Sequence, residues 1–215
     1  MSATMMSTVR TTSSVKVTPY GRRFAAEISG VDFTGPMSDE TADAIHDALM
    51  AYGVVFFRGA KLSPSEQAAF GRMFGDLTTH LFNPHVAGLP EVTILDNSKD
   101  NPVFTTDTWH SDETFRMSPP MGTILRCVQP PPFGGDTLWA DMHAAHEGLS
   151  GAMQAFLSGL EAVHDFNNFR RKFDHLPIRE RHQKIAELEE ELPNPVIPVI
   201  QTHPVTGQKI LFVNE

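Results

Sequence analysis

The sequence predicts an α+β domain, and three observations carry that expectation. Short apolar segments bounded by Gly or Pro alternate with stretches of helical periodicity. Two helix starts carry recognisable caps. No internal repeat, Gly/Ser linker or low-complexity block divides the chain after the first 15 residues. Its 215 residues suit one domain, read as 16–215, preceded by a flexible tail over 1–15. Residues 1–24 hold no acidic side chain and are rich in Ser and Thr, but lack the amphipathic stripe of an organellar leader.

Taken in order, 24–30 reads as a strand ended by Gly30. Residues 38–52 read as a helix with Ala42, Ile45, Ala48 and Leu49 on one face and Gly53 as its stop. The apolar run 54–58 between Gly53 and Gly59 reads as a short, fully buried strand. Ser63-Pro-Ser-Glu66 is a capping box with Pro at the first helical position; its helix carries Phe70, Met73 and Phe74 to Gly75.

Residues 91–95, 122–128 and 137–139 read as strands, then 142–149 and 151–160 as helices. Ser150 caps the second helix, and Met153, Phe156 and Leu160 form its expected buried face. A strand over 161–166 precedes a polar helix over 178–192, whose acidic run 187–191 reads as a solvated face. Strands at 196–201 and 210–213 flank the turn 204–207, with Gly207 where a positive φ is needed. The expected core is mainly antiparallel, with helices outside; a last strand ending at Glu215 with nothing to cover its edge reads as unfinished.

Charge and composition exclude several classes. Seventeen Lys and Arg against 26 Asp and Glu give a net charge of −9, which excludes a general nucleic-acid binder but leaves room for a local cationic pocket. No apolar run approaches the ~20 residues of a membrane span. Cys127 is the single cysteine and has no intramolecular partner, so a reducing, cytoplasmic setting is expected. The phosphate-loop, dinucleotide, nucleophile-elbow and His-Glu-x-x-His patterns are all missing.

What remains is Thr108-Trp-His-Ser-Asp-Glu-Thr-Phe115. In an extended chain, residues i and i+2 project to one face, so His110 and Asp112 can offer an imidazole nitrogen and a carboxylate oxygen to one metal ion. A third ligand from elsewhere would complete the two-His, one-carboxylate set of non-haem Fe(II) oxygenases. About 0.6 His-x-Asp triplets are expected by chance in a chain with ten His, so the triplet by itself does not separate a metal site from a strand cap and a turn residue.

The wider context is more specific. Trp109-His-Ser-Asp-Glu-Thr-Phe115, Ser118-Pro-Pro120 and Gly134-Gly-Asp-Thr-Leu-Trp139 resemble the taurine dioxygenase family of Fe(II)/2-oxoglutarate-dependent oxygenases. Ile28-Ser-Gly-Val-Asp32, Val54-Val-Phe-Phe57, Phe74-Gly75, Ala162-Val-His-Asp-Phe166, Thr202-His-Pro-Val-Thr-Gly207 and Leu211-Phe-Val-Asn-Glu215 match in the same order. The resemblance runs from about Val17 to the last residue.

It implies a double-stranded β-helix (jelly-roll, cupin-like) core with flanking helices, incomplete at its C-terminal end. The expected cofactor is Fe(II), with 2-oxoglutarate as co-substrate. The expected reaction consumes O2 and hydroxylates a small anionic organic substrate, taurine- or alkanesulfonate-like, releasing succinate and CO2. A homo-oligomer is expected.

By the same resemblance His110 and Asp112 are the first two iron ligands, Thr137 donates its hydroxyl to a 2-oxoglutarate carboxylate, and His80 meets the substrate's anionic group. Asn83 stands where the taurine enzymes carry a substrate-contacting tyrosine, and Thr106 where they carry an asparagine. Those departures widen the expected substrates to sulfate esters and carboxylates. Phe82, Phe104, Phe115 and Phe169 are candidate pocket walls, and Trp109 a packing residue. The family's distal histidine and its 2-oxoglutarate-pairing arginine fall beyond the Val-Asn-Glu match, hence beyond Glu215. Two other readings stand beside this one: a degenerate or truncated member that binds a small anion without turnover, and a zinc or manganese hydrolase that uses His110 and Asp112 with His143 or His146.

Overall fold

A computed structural model describes residues 14–96 and 108–214. Thr106, Phe104 and residues 1–13 of the expected tail lie outside the described residues. The architecture is α+β with small sheets, and the chain separates into two compact units. The first comprises Met1–Thr79, His85–Val92 and Arg126–Asp141; the second comprises His80–Pro84, Thr93–Leu125 and Met142–Glu215.

In the first unit, β1 (Lys16–Pro19) pairs antiparallel with β2 (Ala26–Ser29), and β2 pairs parallel with β3 (Val55–Phe56). Helix α1 (Asp39–Tyr52) makes the crossover between β2 and β3. Its start is set by Ser38, which accepts from the Thr41 amide, and its end by Gly53 at φ +71°. Helix α2 (Pro64–Arg72) opens with the expected capping box, both reciprocal bonds being present between Ser63 and Glu66.

Val15, Ile28, Ala44, Ile45, Ala48 and Phe70 form this unit's core, edged by Phe33, Phe57 and Phe74 in edge-to-face contacts. Val15, assigned to the tail from sequence, is buried in that core. The run 54–58 is shorter as a strand than expected and only half-buried, because β3 pairs over two residues alone. The side chain of Arg126 returns the 126–141 segment to α2, donating to the Leu62 carbonyl at 2.6 Å and to Gln67 Oε1 at 3.0 Å. Strands β4 (His85–Val86) and β5 (Leu89–Thr93) form a hairpin that Arg72 of α2 ties through Glu91.

In the second unit, α3 (Met142–Glu147) and α4 (Gly151–Leu157) precede β6 (Glu161–Val163), which pairs antiparallel with β7 (Val196–Pro198). Between them lie α5 (Asn167–Arg170), a 3-10 turn (Arg171–Phe173) and α6 (Ile178–Glu191). Strands β8 (Ile200–Thr202) and β9 (Lys209–Leu211) close a hairpin around Gly207 at φ +71°. The core is aromatic: Phe115 and Phe166 with Leu188 and Leu192, bordered by Phe82, Phe169 and Phe173. The acidic run on α6 is solvated as expected, apart from buried Leu188, and Glu189 pairs with Arg170 at 2.7 Å.

Three further sequence expectations are corrected. Segments 122–128 and 137–139 are irregular and largely exposed, because neither finds a ladder partner among the described residues. The apolar face of α4 is exposed, Phe156 at 65%, since no element of the described chain covers it. Trp109 is also exposed, at 63%, rather than buried against a core.

Candidate active site

The His110–Asp112 segment lies in the second unit on irregular chain rather than on a strand. Asp112 begins a tight turn over 112–115 in which Glu113 takes a positive φ of +48°. Glu113 is buried, and its Oε1 accepts from Arg116 at 2.9 Å across that turn.

His110 Nε2 and Asp112 Oδ1 face each other at 3.5 Å. Two donors each about 2.1 Å from one cation, at roughly 90–110° to each other, lie about 3.0–3.4 Å apart, so the observed separation is just wider than a shared metal ion requires and a small side-chain rotation would close it. The other atom of each side chain is already committed. His110 Nδ1 lies 2.9 Å from the Thr108 carbonyl, an acceptor only, which places the proton on Nδ1 and the lone pair on Nε2. The Thr123 hydroxyl donates to Asp112 Oδ2 at 2.7 Å. Both side chains are half exposed, at 50% and 49%, which would leave room for further groups on a shared ion.

Ser111, between the two, is held by the Asn214 carboxamide: its amide donates to Oδ1 at 3.1 Å, and Nδ2 donates to its carbonyl at 3.0 Å. Among the described residues no group of three His, Cys, Asp or Glu side chains could hold a metal ion. His143 Nδ1 lies 2.9 Å from the Lys209 carbonyl, and its Nε2 faces Glu147 at 3.6 Å.

His80 and Asn83 belong to the same unit. The Phe82 amide donates to His80 Nδ1 at 3.1 Å, which puts the proton of the neutral ring on Nε2. Burial is the largest influence on this ring and lowers its pKa; Glu113 and Asp112 oppose, while Lys172 and Arg116 add to the lowering. Asn83 Oδ1 accepts from Lys172 Nζ at 2.5 Å, which turns its Nδ2 toward His80 Nε2 at 3.4 Å. Two donors therefore converge, an arrangement suited to one oxygen of an anion.

Lys172 also donates to the Phe82 carbonyl at 2.6 Å, and burial lowers its pKa. Phe82 and Phe169 stack at 4.5 Å, with Phe115 edge-on to both at 6.0 and 5.9 Å, giving an apolar wall beside these donors.

Thr137 lies in the first unit, exposed on irregular chain just after Gly134 and Gly135, both at positive φ. Sequence reading passed over Thr123, Lys172 and the contacts of Asn214. Asn214 lay inside a family-like stretch, whereas Thr123 and Lys172 carry no spacing signal.

Residues 16–215 match the family described as "Taurine catabolism dioxygenase TauD, TfdA family". The chain belongs to that family. An alpha-ketoglutarate-dependent sulfate ester dioxygenase of Pseudomonas putida is 31% identical over 98% of this chain and 70% of its own length. An alkylsulfatase of Acinetobacter baylyi is 33% identical over 89% of this chain and 60% of its own. The crystal structure of a taurine dioxygenase from Burkholderia xenovorans is 34% identical and superposes with a TM-score of 0.71, covering 94% of this chain and 63% of that one. This family member thus spans less than two thirds of the alkylsulfatase and of the solved structure. No helix among its described residues is long and apolar enough to cross a membrane.

Proposed function

We propose that this chain serves an Fe(II)- and 2-oxoglutarate-dependent dioxygenase that hydroxylates a small organic anion, on the double-stranded β-helix framework expected of its family. The observation that carries the reading is the 3.5 Å approach of His110 Nε2 and Asp112 Oδ1, with Nδ1 and Oδ2 held by Thr108 and Thr123. Overall, substrate, O2 and 2-oxoglutarate become hydroxylated substrate, succinate and CO2. Bound at the pair, Fe(II) supplies the redox chemistry of dioxygen activation.

The chain's own residues bind and orient. The Nε2–H of neutral His80 and the amide N–H of Asn83 donate to the anionic head of the substrate, and Lys172 places a positive charge behind them. Phe82, Phe115 and Phe169 supply an apolar wall that keeps water from the substrate's carbon body. Organic sulfates and sulfonates fit those donors, and the sulfate ester dioxygenase relative acts on the first kind. The Thr137 hydroxyl is assigned to a 2-oxoglutarate carboxylate, as the family resemblance implies.

His110→Ala should abolish oxygen-dependent succinate formation while the circular dichroism spectrum is kept. Succinate formation at the wild-type rate in that variant would sink the reading.

A further inference from the structure

We propose that Asn214 is a positioning residue for the metal pair, acting through the Ser111 peptide unit. The inference rests on the reading of His110 and Asp112 as ligands, and goes beyond it by assigning what holds them in register.

An i, i+2 ligand pair keeps its spacing when the backbone between is fixed, and a strand ordinarily fixes it through ladder bonds. Here the segment belongs to no strand. The donor and acceptor of Ser111 instead meet the acceptor and donor of one carboxamide, at 3.1 and 3.0 Å, from a residue 103 positions away. An Asn side chain carries the same N–H and C=O as a peptide, so it replaces one neighbouring strand residue. The Ser111 N–H and C=O fix which way the carboxamide faces, and Nδ2 makes a second contact at 2.9 Å to the hydroxyl of buried Thr114.

Three bonds from one side chain thus span 111–114, the stretch that contains Asp112 and follows His110 directly. Asn214 touches neither ligand atom. With the clamp removed, the Ser111 peptide can rotate, and the two ligand atoms lose their common direction.

The test is anaerobic Co(II) titration, followed by calorimetry and visible absorption, on wild type, Asn214→Ala, Asn214→Asp and His110→Ala. Asn214→Asp keeps the shape and the acceptor for the Ser111 amide but cannot donate to its carbonyl, and it carries the test alone if the alanine variant does not fold. Expected is a rise in Kd of about tenfold or more in both Asn214 variants, with an altered Co(II) absorption spectrum. A wild-type Kd and spectrum in the folded variants, whatever their Tm, would overturn the assignment. Wild-type Co(II) binding by His110→Ala would overturn the metal reading itself, and the positioning role with it.

Discussion

The Thr123 hydroxyl donates to the outer carboxylate oxygen of Asp112 at 2.7 Å, while the inner oxygen faces His110. An occupied outer oxygen favours one-oxygen ligation by the inner one, in the way outer-sphere hydrogen bonds generally orient metal ligands. Thr123→Val keeps the shape and deletes the bond. It should weaken Co(II) or Fe(II) binding by about tenfold, at the low end of the range for such partners, with little change in Tm because the residue is exposed. A metal titration beside a melting curve checks both halves.

Lys172 should matter to the substrate's charge more than to the reaction step. Lys172→Met removes the cation next to Asn83 and lets the amide turn its oxygen toward His80. KM for an organic sulfate or sulfonate should rise by about tenfold, near 1.4 kcal/mol, with kcat changing far less. Steady-state oxygen uptake at several substrate concentrations separates the two; an unchanged KM would remove Lys172 from the binding site.

His164 predicts acid sensitivity of the fold. Its ring is buried and lies against Phe212 at 5.2 Å, and burial lowers its pKa, so it folds neutral. The unfolded chain, near the ordinary imidazole value of about 6.5, takes up the proton first. Its contribution is therefore fully present above about pH 6.5 and is lost as pH falls through the depressed native value. Tm measured at pH 7.5 and 5.5 should fall less in His164→Phe than in wild type. His80 and His203, also lowered by burial, contribute to the slope in both proteins, so the difference is the diagnostic quantity.

The start of α2 offers a stability test far from the chemistry. Ser63 accepts from the Glu66 amide, and Glu66 accepts from the Ser63 amide at 2.6 Å. Ser63→Ala should cost about 1 kcal/mol and lower Tm by roughly 3 °C. Metal affinity should stay as in wild type, a contrast that calorimetry of both variants reads directly.

The features legible in the sequence are those whose hydrogen bonds close within a few residues. The Ser63 and Ser150 caps, the Gly53 stop and the Gly207 turn are of this kind. Tertiary structure decided the rest. Strand-like patterns at 122–128 and 137–139 form no ladder, because a strand exists only where a partner takes up its backbone groups. Likewise α4 has an apolar face but nothing among the described residues to bury it against. Around His110 and Asp112, Thr123 comes from 11 residues away from Asp112 and Asn214 from 103 residues away from Ser111. The neighbouring Thr108 carbonyl orients the His110 ring, but the bonds on Asp112 and Ser111 come from residues that only the folded chain brings back to them.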